Sequence, residues 1–427
     1  MDDVIIVGAG IGGLTLALTL HRAGIPCRIY EAAPEIRPVG VGINVLPHAA
    51  QVLAGLGLED ALARAAVTTR EGVFFNRFGQ LIYREPAGRF AGYDHPQFSV
   101  HRGDLQSVLL DAVRQRLGEG CIRTGWRCAG AEQDASGVTV RFESGAAPAA
   151  AAGDAAAALP AQRGAALVAC DGIHSAIRRQ LYPDEGEPRY SGVNMWRGVT
   201  RWKPFLTGAS MVRAGWLAGG KMVIYPIRDA VDAEGRQLVN WVAEIETPVR
   251  KPRRDWNRPG RIEDFIGAFA DWHFDWLDVP ALIRAADVVL EFPMVDQDPL
   301  PRWSFGRMTL LGDAAHPMVP RGSNGAGQAV LDAQALAEEM AARPDGSAEA
   351  ALRAYEDRRL SATSAVVLRN RTNPPDAILR EVWRRTGDRP FARIEDVIAH
   401  DELVALSEGY KRVAGYDKES LRGGPSR

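Results

Sequence analysis

The sequence predicts an α/β fold with one discontinuous α/β domain, a mainly antiparallel β-sheet domain inserted into it, and helices at the C-terminal end. Three observations support this prediction. A short β-branched run, Val4 to Val7, leads into a glycine-rich turn, as a buried parallel strand does when it enters a helix. Residues 191–245 alternate apolar and polar positions between turns, which is typical of antiparallel strands. Residues 308–311, MTLL, are again typical of a buried strand and return the chain to the first domain.

Composition narrows the class of protein. The 427 residues are enough for two packed domains, and 46% apolar with 24% charged residues is ordinary for a soluble globular protein. The formal charge of −2 offers no basic field for nucleic acid or anionic lipid. The four cysteines lack metal-ligand spacing and are predicted to be reduced core residues. This spacing also gives no reason to expect a metal site. Because no apolar run reaches the ~20 residues that span a bilayer and no charged leader is present, we expect a cytoplasmic protein.

The first domain is predicted to begin with a βαβ unit. Its helix follows the glycine turn and ends at Gly24, and residues 27–33 form the second strand. The later predicted elements are a helix at 47–58, strand-like residues at 69–83, a helix at 104–117, and strands at 138–142 and 165–169. The alanine-rich residues 145–166 are interrupted by Pro148, Gly153 and Pro160, so we expect a surface hairpin extension there.

The inserted domain is predicted from the strand-like segments after Ser191. A basic, proline-bounded loop at 251–260 is expected to lead into a helix that carries Phe265, Phe269 and Trp272. The predicted boundaries are 1–70, 101–187 and 291–370 for the three parts of the first domain, 71–100 and 188–290 for the inserted domain, and 371–427 for the C-terminal helices.

The first chemical motif is Gly8-x-Gly10-x-x-Gly13, between the first strand and its helix. Gly8 permits a tight turn, Gly10 lets a pyrophosphate approach the backbone, and Gly13 lets the helix pack on the strand. The free N–H groups at the start of the helix favour phosphate. Glu31, at the end of the second strand, suits the hydroxyl groups of a ribose. The combination predicts a dinucleotide site.

Two further motifs follow later strands. Asp171 begins the segment DGIHSAIRR, which alone indicates only an aspartate before a glycine turn and a helix. Gly312 and Asp313 follow the strand at 308–311, and a helix is predicted to begin within GSNGAGQAVLDA. Asp313 could accept hydrogen bonds from ribityl hydroxyls, and the N–H groups of this helix start could face an anionic flavin ring. Together with the glycine motif about 300 residues earlier, this segment indicates that the dinucleotide is FAD.

GAGIGG, CDGIHSAIRR and GDAAHP, in this order and spacing, resemble the three fingerprints of the group A flavin-dependent aromatic monooxygenases, which share the para-hydroxybenzoate hydroxylase fold. The resemblance covers about residues 1–370 and implies an FAD-binding Rossmann-like domain of the GR2 type. Within the group, MWRGVT, FDWLDVP and HPMVPRGSNGA are most similar to the phenazine-modifying monooxygenases and less similar to the salicylate hydroxylases.

The resemblance also implies how FAD is bound. Glu31 would contact the adenosine ribose, the strand at Cys128 the adenine, and residues 320–326 the isoalloxazine ring. Gly42 and Ile43 match a loop that permits the flavin to swing. The full set of implied cofactor-binding residues is Gly8, Gly10, Ile11, Gly13, Glu31, Ala32, Gly42, Ile43, Arg102, Gln106, Cys128, Asp171, Gly312, Asp313, Gly322, Ser323, Asn324, Gly325 and Ala326.

The reaction that the resemblance implies starts when NADH or NADPH reduces FAD, a step in which Asp171 is implicated. O2 then adds at flavin C4a, and the hydroperoxide hydroxylates an electron-rich aromatic or heteroaromatic ring, such as a carboxylated phenazine- or salicylate-like one. The candidate catalytic residues are Tyr225 as a substrate-facing phenol, Pro320 as a shaper of the peroxide site, and Arg321 facing the flavin or a substrate carboxylate. His316 is expected to be a structural partner.

The cavity around the reacting ring must exclude water, so we expect two or three aromatic residues of the inserted domain to line it. The candidates are Trp196, Trp202, Trp216, Tyr225 and Trp241.

The chain departs from the family at Gly327, where an asparagine is common, so only backbone contact with the flavin is expected there.

Other functions of this fold stay open at this stage. The Trp-x-Trp-x-Ile-Pro signature of flavin-dependent halogenases is absent. An epoxidase or N-hydroxylase of the same fold is one alternative, and a noncatalytic flavin- or substrate-binding protein is another. The expected partners are a small aromatic substrate, O2 and NADH or NADPH, and the chain is expected to act as a monomer or homodimer.

Overall fold

The computed structural model describes residues 3–38, 40–145, 157–247, 258–343 and 347–422. The strands in chain order are β1 (Val4–Val7), β2 (Cys27–Glu31), β3 (Gly42–Val45), β4 (Ala66–Thr68), β5 (Glu71–Phe75), β6 (Leu81–Pro86), β7 (Phe98–His101), β8 (Ile122–Thr124), β9 (Trp126–Asp134), β10 (Gly137–Ser144), β11 (Ala158–Gly164), β12 (Ala166–Ala169), β13 (Arg189–Trp202), β14 (Ser210–Trp216), β15 (Gly220–Arg228), β16 (Gln237–Glu246), β17 (Arg258–Pro259), β18 (His273–Phe274), β19 (Leu277–Asp278), β20 (Val289–Asp296), β21 (Ser304–Phe305) and β22 (Met308–Leu310). The α-helices are α1 (Ile11–Arg22), α2 (Pro47–Gly55), α3 (Glu59–Ala65), α4 (Arg102–Leu117), α5 (Ala176–Leu181), α6 (Val279–Arg284), α7 (Gly325–Ala341), α8 (Ala348–Thr372), α9 (Ala377–Thr386), α10 (His400–Ala414) and α11 (Lys418–Arg422).

A six-stranded sheet forms the core of the first domain, in the order β21-β22-β12-β1-β2-β8. Its pairings are parallel except for the edge pair β21 and β22. Strands β1 and β12 are buried along their whole length, which is why their sequences are unbroken apolar runs. Helices α1 and α7 pack together, and Thr19 Oγ1 donates to the Ala333 carbonyl oxygen at 3.1 Å. The carboxyl ends of β1, β12 and β22 meet at one edge of the sheet, and the three sequence motifs that follow them meet there too.

The inserted domain is an eight-stranded sheet in the order β17-β20-β13-β16-β15-β14-β5-β6. Strands β14 and β5 pair in parallel and the other pairs are antiparallel. Alternate residues of each strand point to opposite faces. One face packs on the segment that follows β17, in an aromatic core that includes Trp241, Phe265, Phe269 and Trp272. The other face turns to the first domain and forms one wall of the cavity between them.

The helices after residue 370 cover the outer strands of the inserted sheet. Ile378 and Val382 of α9 and Leu403 of α10 pack with Phe74 of β5 and Ile82 of β6. The predicted α/β class, with an inserted antiparallel sheet and C-terminal helices, is therefore confirmed. In the parts of the chain that the structure describes, no helix combines the length and apolarity needed to cross a bilayer.

The prediction of a helix that carries Phe265, Phe269 and Trp272 is wrong. Two short 3-10 turns, Ile262–Asp264 and Ile266–Phe269, stand in its place. A glycine interrupts the segment, which disfavours a continuous helix, and burial of the three rings in the core under the sheet outweighs the helical periodicity.

Two other predictions reach residues outside the described part of the chain. The alanine-rich segment includes 146–156 and the basic loop includes 251–257, both of which lie outside it. On either side of the first of these, β10 and β11 pair antiparallel, as a hairpin extension requires. All four cysteines are free; Cys27 and Cys128 are buried in the core, whereas Cys121 and Cys170 are half-buried and pack against its edge. Cys170 directly follows β12 and borders a groove.

Candidate functional site

The three motifs border one continuous groove. Its first part, the outer groove, has a volume of about 1050 Å³ and runs along the ends of β1 and β2. Its second part, the inner cavity, has a volume of about 350 Å³ and lies between the first domain and the inserted sheet. The two parts share Gly10, Arg102, Cys170 and Gly172 as lining residues. A long ligand could therefore extend from one part into the other.

The glycine turn after β1 has no room for a side chain at two of its three glycines. Gly8 has a φ of +103°, and a Cβ there would lie 2.4 Å from the Cys170 carbonyl oxygen. A Cβ at Gly13 would lie 2.0 Å from the Gly8 carbonyl oxygen. A Cβ at Gly10 would meet no atom within 4 Å, because Gly10 borders the open groove at the start of α1. The turn thus offers free space and helix N–H groups together, which suits a pyrophosphate.

Glu31 and Gln106 fix the shape of this turn. Glu31 Oε2 accepts from the Ala9 N–H and its Oε1 from the Ala33 N–H, both at 2.8 Å. Gln106 Nε2 donates to the Ala9 carbonyl oxygen at 2.8 Å. Both side chains line the outer groove, and a carboxylate that already accepts two hydrogen bonds has lone pairs left for the hydroxyl groups of a ribose.

Asp171 and Cys128 border the outer groove from the neighbouring strands. Asp171 Oδ2 accepts from the Ala176 N–H at 2.9 Å, while Oδ1 is buried with no hydrogen-bond partner among the described residues. Burial raises the pKa of Asp171. An unpartnered buried oxygen marks a place where a ligand donor group fits. Burial also raises the pKa of the Cys128 thiol to about 12, so Cys128 lines the groove as an uncharged residue.

The C-terminal helices hold the loop between β22 and α7. Asn324 is buried, and its Nδ2 donates to the Tyr410 hydroxyl at 3.0 Å. That hydroxyl donates to Asn370 Oδ1 at 2.8 Å. Asn324 Oδ1 lies 3.1 Å from His48 Nε2. Ser323 has a φ of +57°, a strained conformation for a residue with a side chain, which persists only where neighbours fix the backbone. The loop is thus rigid where it borders the inner cavity.

Two buried histidines support this region structurally. A Cβ at Gly327 would lie 3.0 Å from His48 Cε1, so the glycine that replaces the family's asparagine leaves room for His48. His316 Nε2 lies 2.6 Å from Asp332 Oδ2, and Arg359 Nε donates to Asp332 Oδ1 at 2.8 Å. Burial opposes the charge of Asp332, but His316 and Arg359 hold its pKa below the usual range.

Replacing His48 by asparagine should make the protein less sensitive to acid. Burial lowers the pKa of His48 from 6.5 to about 4, so between these pH values the unfolded chain binds a proton that the folded chain does not. This contribution to stability is complete above pH 6.5 and falls as the pH drops towards 4, by about 3 kcal/mol at 1.36 kcal/mol per pKa unit. Urea midpoints measured over this range should fall less steeply for His48→Asn than for the unchanged protein. His21→Asn, at an exposed position, should keep the original slope, and equal slopes for all three proteins would contradict the argument.

The sheet wall of the inner cavity has an apolar centre beside a cation. Val223 and Val242 are register partners on β15 and β16 and both line the cavity. Arg197, opposite Val242 on β13, donates from Nη2 to the Gly42 carbonyl oxygen at 2.8 Å. Arg197 also hydrogen-bonds the Tyr225 side chain. Burial raises the pKa of Tyr225, so Tyr225 is a neutral phenol that borders the cavity.

Gly42 and Ile43 begin strand β3 and are not in a loop as the sequence predicted, and this start of β3 docks directly on the inserted sheet. The Gly42 N–H donates to Asn240 Oδ1 at 2.7 Å. A Cβ at Gly42 would lie 2.6 Å from Asn240 Cβ and 2.8 Å from Tyr225 Cε2. Only glycine fits this contact, which joins the two domains at one end of the inner cavity.

Four charged side chains form a network at the other end of the wall. Lys221 Nζ donates to Glu244 Oε1 at 2.9 Å and pairs with Asp376. Arg213 Nε lies 3.2 Å from Asp376 Oδ1. The side chains of Lys221, Glu244 and Asp376 are at most 5% exposed. Burial opposes the charge of Asp376, but Lys221, Arg213 and, more weakly, Arg321 hold its pKa below the usual range.

The structure brings the predicted site residues together. All of them line the outer groove or the inner cavity except Gly13, which packs against Gly8. The expectation that several aromatic residues line the cavity is wrong, because Tyr225 alone of the five candidates does so. Trp196 and Trp241 lie in the core on the opposite face, since a one-residue offset in a strand reverses the face.

Sequence reasoning missed most of the charged residues of the sheet wall. These are Arg197, Arg213, Lys221, Glu244 and Asp376. The available signal was a single charged residue inside otherwise apolar strands, as in KMVIYPI and LVNWVAEI. Among the described residues, no cluster of three or more His, Cys, Asp or Glu side chains is arranged to hold a metal ion.

Comparison with known proteins gives consistent matches. Residues 1–232 and 291–370 match the family described as FAD binding domain. The chain is 42% identical over 414 residues to the phenazine 1,6-dicarboxylic acid hydroxylase PhzS of Lysobacter antibioticus, covering 96% of this chain and 97% of that protein. It is 37% identical over 375 residues to the 3-amino-4-hydroxybenzoate 2-monooxygenase PtnB3 of Streptomyces platensis, covering 86% of each. The crystal structure of Klebsiella pneumoniae HpxO with FAD and uric acid has a TM-score of 0.70 at 26% identity, with coverage of 99% of this chain and 95% of that one.

Proposed function

We propose, because this chain belongs to the FAD-binding domain family and within it to the flavin-dependent aromatic hydroxylases, that it hydroxylates a carboxylated aromatic or heteroaromatic ring with O2 and NADH or NADPH. The family predicted from the three sequence motifs is confirmed. The phenazine dicarboxylate and aminohydroxybenzoate named for two of its relatives make a carboxylated ring the leading substrate class.

The observation that carries this proposal is the charge of the inner cavity. Its sheet side and the loop at 320–326 present four cationic side chains and two carboxylates, and Arg102 and Asp313 add one charge of each sign, so the lining carries an excess of positive charge. Arg197 and Arg321, which the network does not neutralise, are half-buried, and a partly desolvated excess of positive charge favours an anionic partner such as a substrate carboxylate. The cations are Arg197, Arg213, Lys221 and Arg321, and the carboxylates are Glu244 and Asp376.

The residues along the groove fit FAD. The glycine turn, with its open space at Gly10 and its helix N–H groups, would hold the pyrophosphate, and Glu31 and the unpartnered Oδ1 of Asp171 would accept hydrogen bonds from hydroxyl groups. The rigid loop at 320–326 would face the flavin ring. Bound FAD supplies the activation of O2 and the electrophilic oxygen. NADH or NADPH is the reductant in this proposal.

The chain's own side chains would orient the substrate and keep water away from it. The cavity is lined by apolar side chains that exclude water, which strengthens electrostatic contacts within it. Arg197 and Arg321 can each bind a carboxylate through two parallel hydrogen bonds. Tyr225, as a neutral phenol, can donate a hydrogen bond to the substrate. The apolar lining residues include Met195, Met211, Val223, Val242 and Met318.

A direct test uses the FAD-loaded protein with NADH or NADPH in air. Phenazine-1-carboxylate, salicylate and 3-hydroxybenzoate should be compared with uncharged phenazine, and nicotinamide oxidation, O2 consumption and product mass should be followed. We expect at least one of the acids to stimulate oxidation and to gain one oxygen atom. Stimulation by none of the acids, or by uncharged phenazine alone, would contradict the proposal.

Replacing Arg197 by methionine should lower kcat/KM for the acid substrate by about 100-fold. The removed guanidinium would make charge-assisted hydrogen bonds to the carboxylate, each worth about 1.5–3 kcal/mol. The exposed Arg201→Met, on the same strand, is the matched control and should keep nearly full activity. The methyl ester of the acid lacks the charge and should lose little when Arg197 is replaced. An equal loss of kcat/KM for acid and ester would mean that Arg197 acts only through its hydrogen bond to Gly42 at the start of β3.

A further inference from the structure

The buried network on the sheet wall contains one oxygen that the chain does not use. Glu244 borders the inner cavity, and its side chain is 5% exposed. Its Oε1 accepts from Lys221 at 2.9 Å. Its Oε2 is buried and has no hydrogen-bond partner among the described residues. A buried carboxylate oxygen without a partner is costly, and a donor group on a ligand would remove that cost.

The rest of the network fixes the Glu244 side chain in place. Lys221 is a register partner of Glu244 across β15 and β16, and it also pairs with Asp376 at the start of α9. Arg213 pairs with Asp376 from β14. These four groups sum to no net charge, so the network itself needs no anionic partner, although Arg321 also lies close enough to act on Asp376. This end of the cavity presents a carboxylate that can only accept hydrogen bonds.

The position of Glu244 separates it from the cationic part of the cavity. Glu244 and Asn240 lie four residues apart on β16, so their Cα atoms are about 13 Å apart. Gly42 at the start of β3 and the hydrogen-bonded head group of Arg197 lie at the Asn240 end. Val242 faces the cavity between the two ends. A flat ring on this apolar floor could hold an anionic group at one end and a hydrogen-bond donor at the other.

Resting on the proposed function, we propose that Glu244 Oε2 accepts a hydrogen bond from a hydroxyl or amino group on the substrate ring. This contact would make Glu244 a specificity-determining residue that selects aromatic acids bearing such a group over those without it. Hydrogen-bond donation to a carboxylate increases the electron density of a phenol or aniline ring, which is also what electrophilic hydroxylation requires. A site built to bind an O–H or N–H group rejects the analogue that lacks it, because its own polar group is then left unpaired.

The test compares two ligands that differ in one donor group. Phenazine-1-carboxylate and 6-hydroxyphenazine-1-carboxylate are titrated into the FAD-loaded protein, and dissociation constants are read from the change in flavin absorbance. We expect the hydroxylated acid to bind more tightly by on the order of 10-fold or more, as for a hydrogen bond to a charged group. Glu244→Gln should reduce this ratio to within about twofold, mainly by weakening the hydroxylated ligand. The exposed Glu246→Gln, on the same strand, should leave the ratio unchanged.

Two results would overturn the assignment. One is equal binding of the two ligands by the unchanged protein, a comparison that needs no variant to fold. The other is an equal weakening of both ligands in Glu244→Gln, which would indicate a general effect on the cavity. If both ligands stimulate NADH or NADPH oxidation while their ratio does not depend on Glu244, this inference fails and the proposed function stands. If no aromatic acid stimulates oxidation, the proposed function itself fails.

Discussion

Replacing Lys221 by methionine should lower the free energy of unfolding by about 3–5 kcal/mol, the usual cost of removing one partner from a buried ion pair. Lys221 is 1% exposed and bridges two carboxylates, Glu244 and Asp376, that are themselves buried. Methionine is a similar length and fits the same space, so the loss comes from the two negative charges left without their cation. Lys221 helps to hold the pKa of Asp376 below its usual range; without it Asp376 can reduce the cost by binding a proton, so the destabilisation should be larger at pH 8 than at pH 5.

Urea unfolding of the FAD-saturated proteins at both pH values measures this effect. Lys203→Met, at an exposed position, is the control and should change stability by less than about 0.5 kcal/mol. Adding Asp376→Asn to Lys221→Met removes one of the stranded charges and should recover part of the loss. A loss below about 1 kcal/mol, as for an exposed pair, would show that the network does not hold the cavity wall in place.

Replacing Gly13 by alanine should leave the protein with little or no bound FAD. The new Cβ would lie 2.0 Å from the Gly8 carbonyl oxygen, so α1 must move away from β1 and its N–H groups must leave the pyrophosphate. Overpacking of this kind costs about 1–3 kcal/mol, which corresponds to FAD binding that is weaker by about 10- to 100-fold. We expect the variant to lose FAD binding before the substrate-binding part of the cavity is affected.

The flavin absorbance of the purified protein, and titration of the FAD-free protein with FAD, measure this loss. Gly120→Ala is the matched control, because a Cβ there would meet no atom within 4 Å and the position is far in sequence from the glycine turn. Normal FAD content in Gly13→Ala would contradict the packing role of this glycine. Loss of FAD in both variants would point instead to a general sensitivity of the fold.

The cofactor half of the site could be predicted from the sequence because its signals are local. Gly8, Gly10 and Gly13 are specified by one turn, and Gly312 and Asp313 by the end of one strand. The parallel sheet then brings these strand ends to one edge, a rule that holds for the whole fold class. The local sequence of each motif was therefore enough to predict its place in the groove.

The substrate half could not be predicted in the same way because its signals are non-local. Lys221 meets Glu244 through strand register and Asp376 through a helix more than 150 residues later. In sequence, each is one charged residue with no partner nearby. The tryptophans misled for a related reason, because a shift of one residue decides which face of a strand a side chain takes. Arg197 was likewise indistinguishable from a solvated strand residue.

The contact between Tyr410 and Asn324 has a consequence for the biosynthesis of the holoenzyme. The tyrosine is translated 86 residues after the loop it holds, and its helix also receives the Gln328 side chain at the Ala414 carbonyl oxygen. During synthesis the glycine turn that would bind the pyrophosphate is therefore made long before the residues that hold the flavin-facing loop in place. We therefore expect stable binding of the flavin ring to wait until Tyr410 has been synthesised and α10 has packed on the loop.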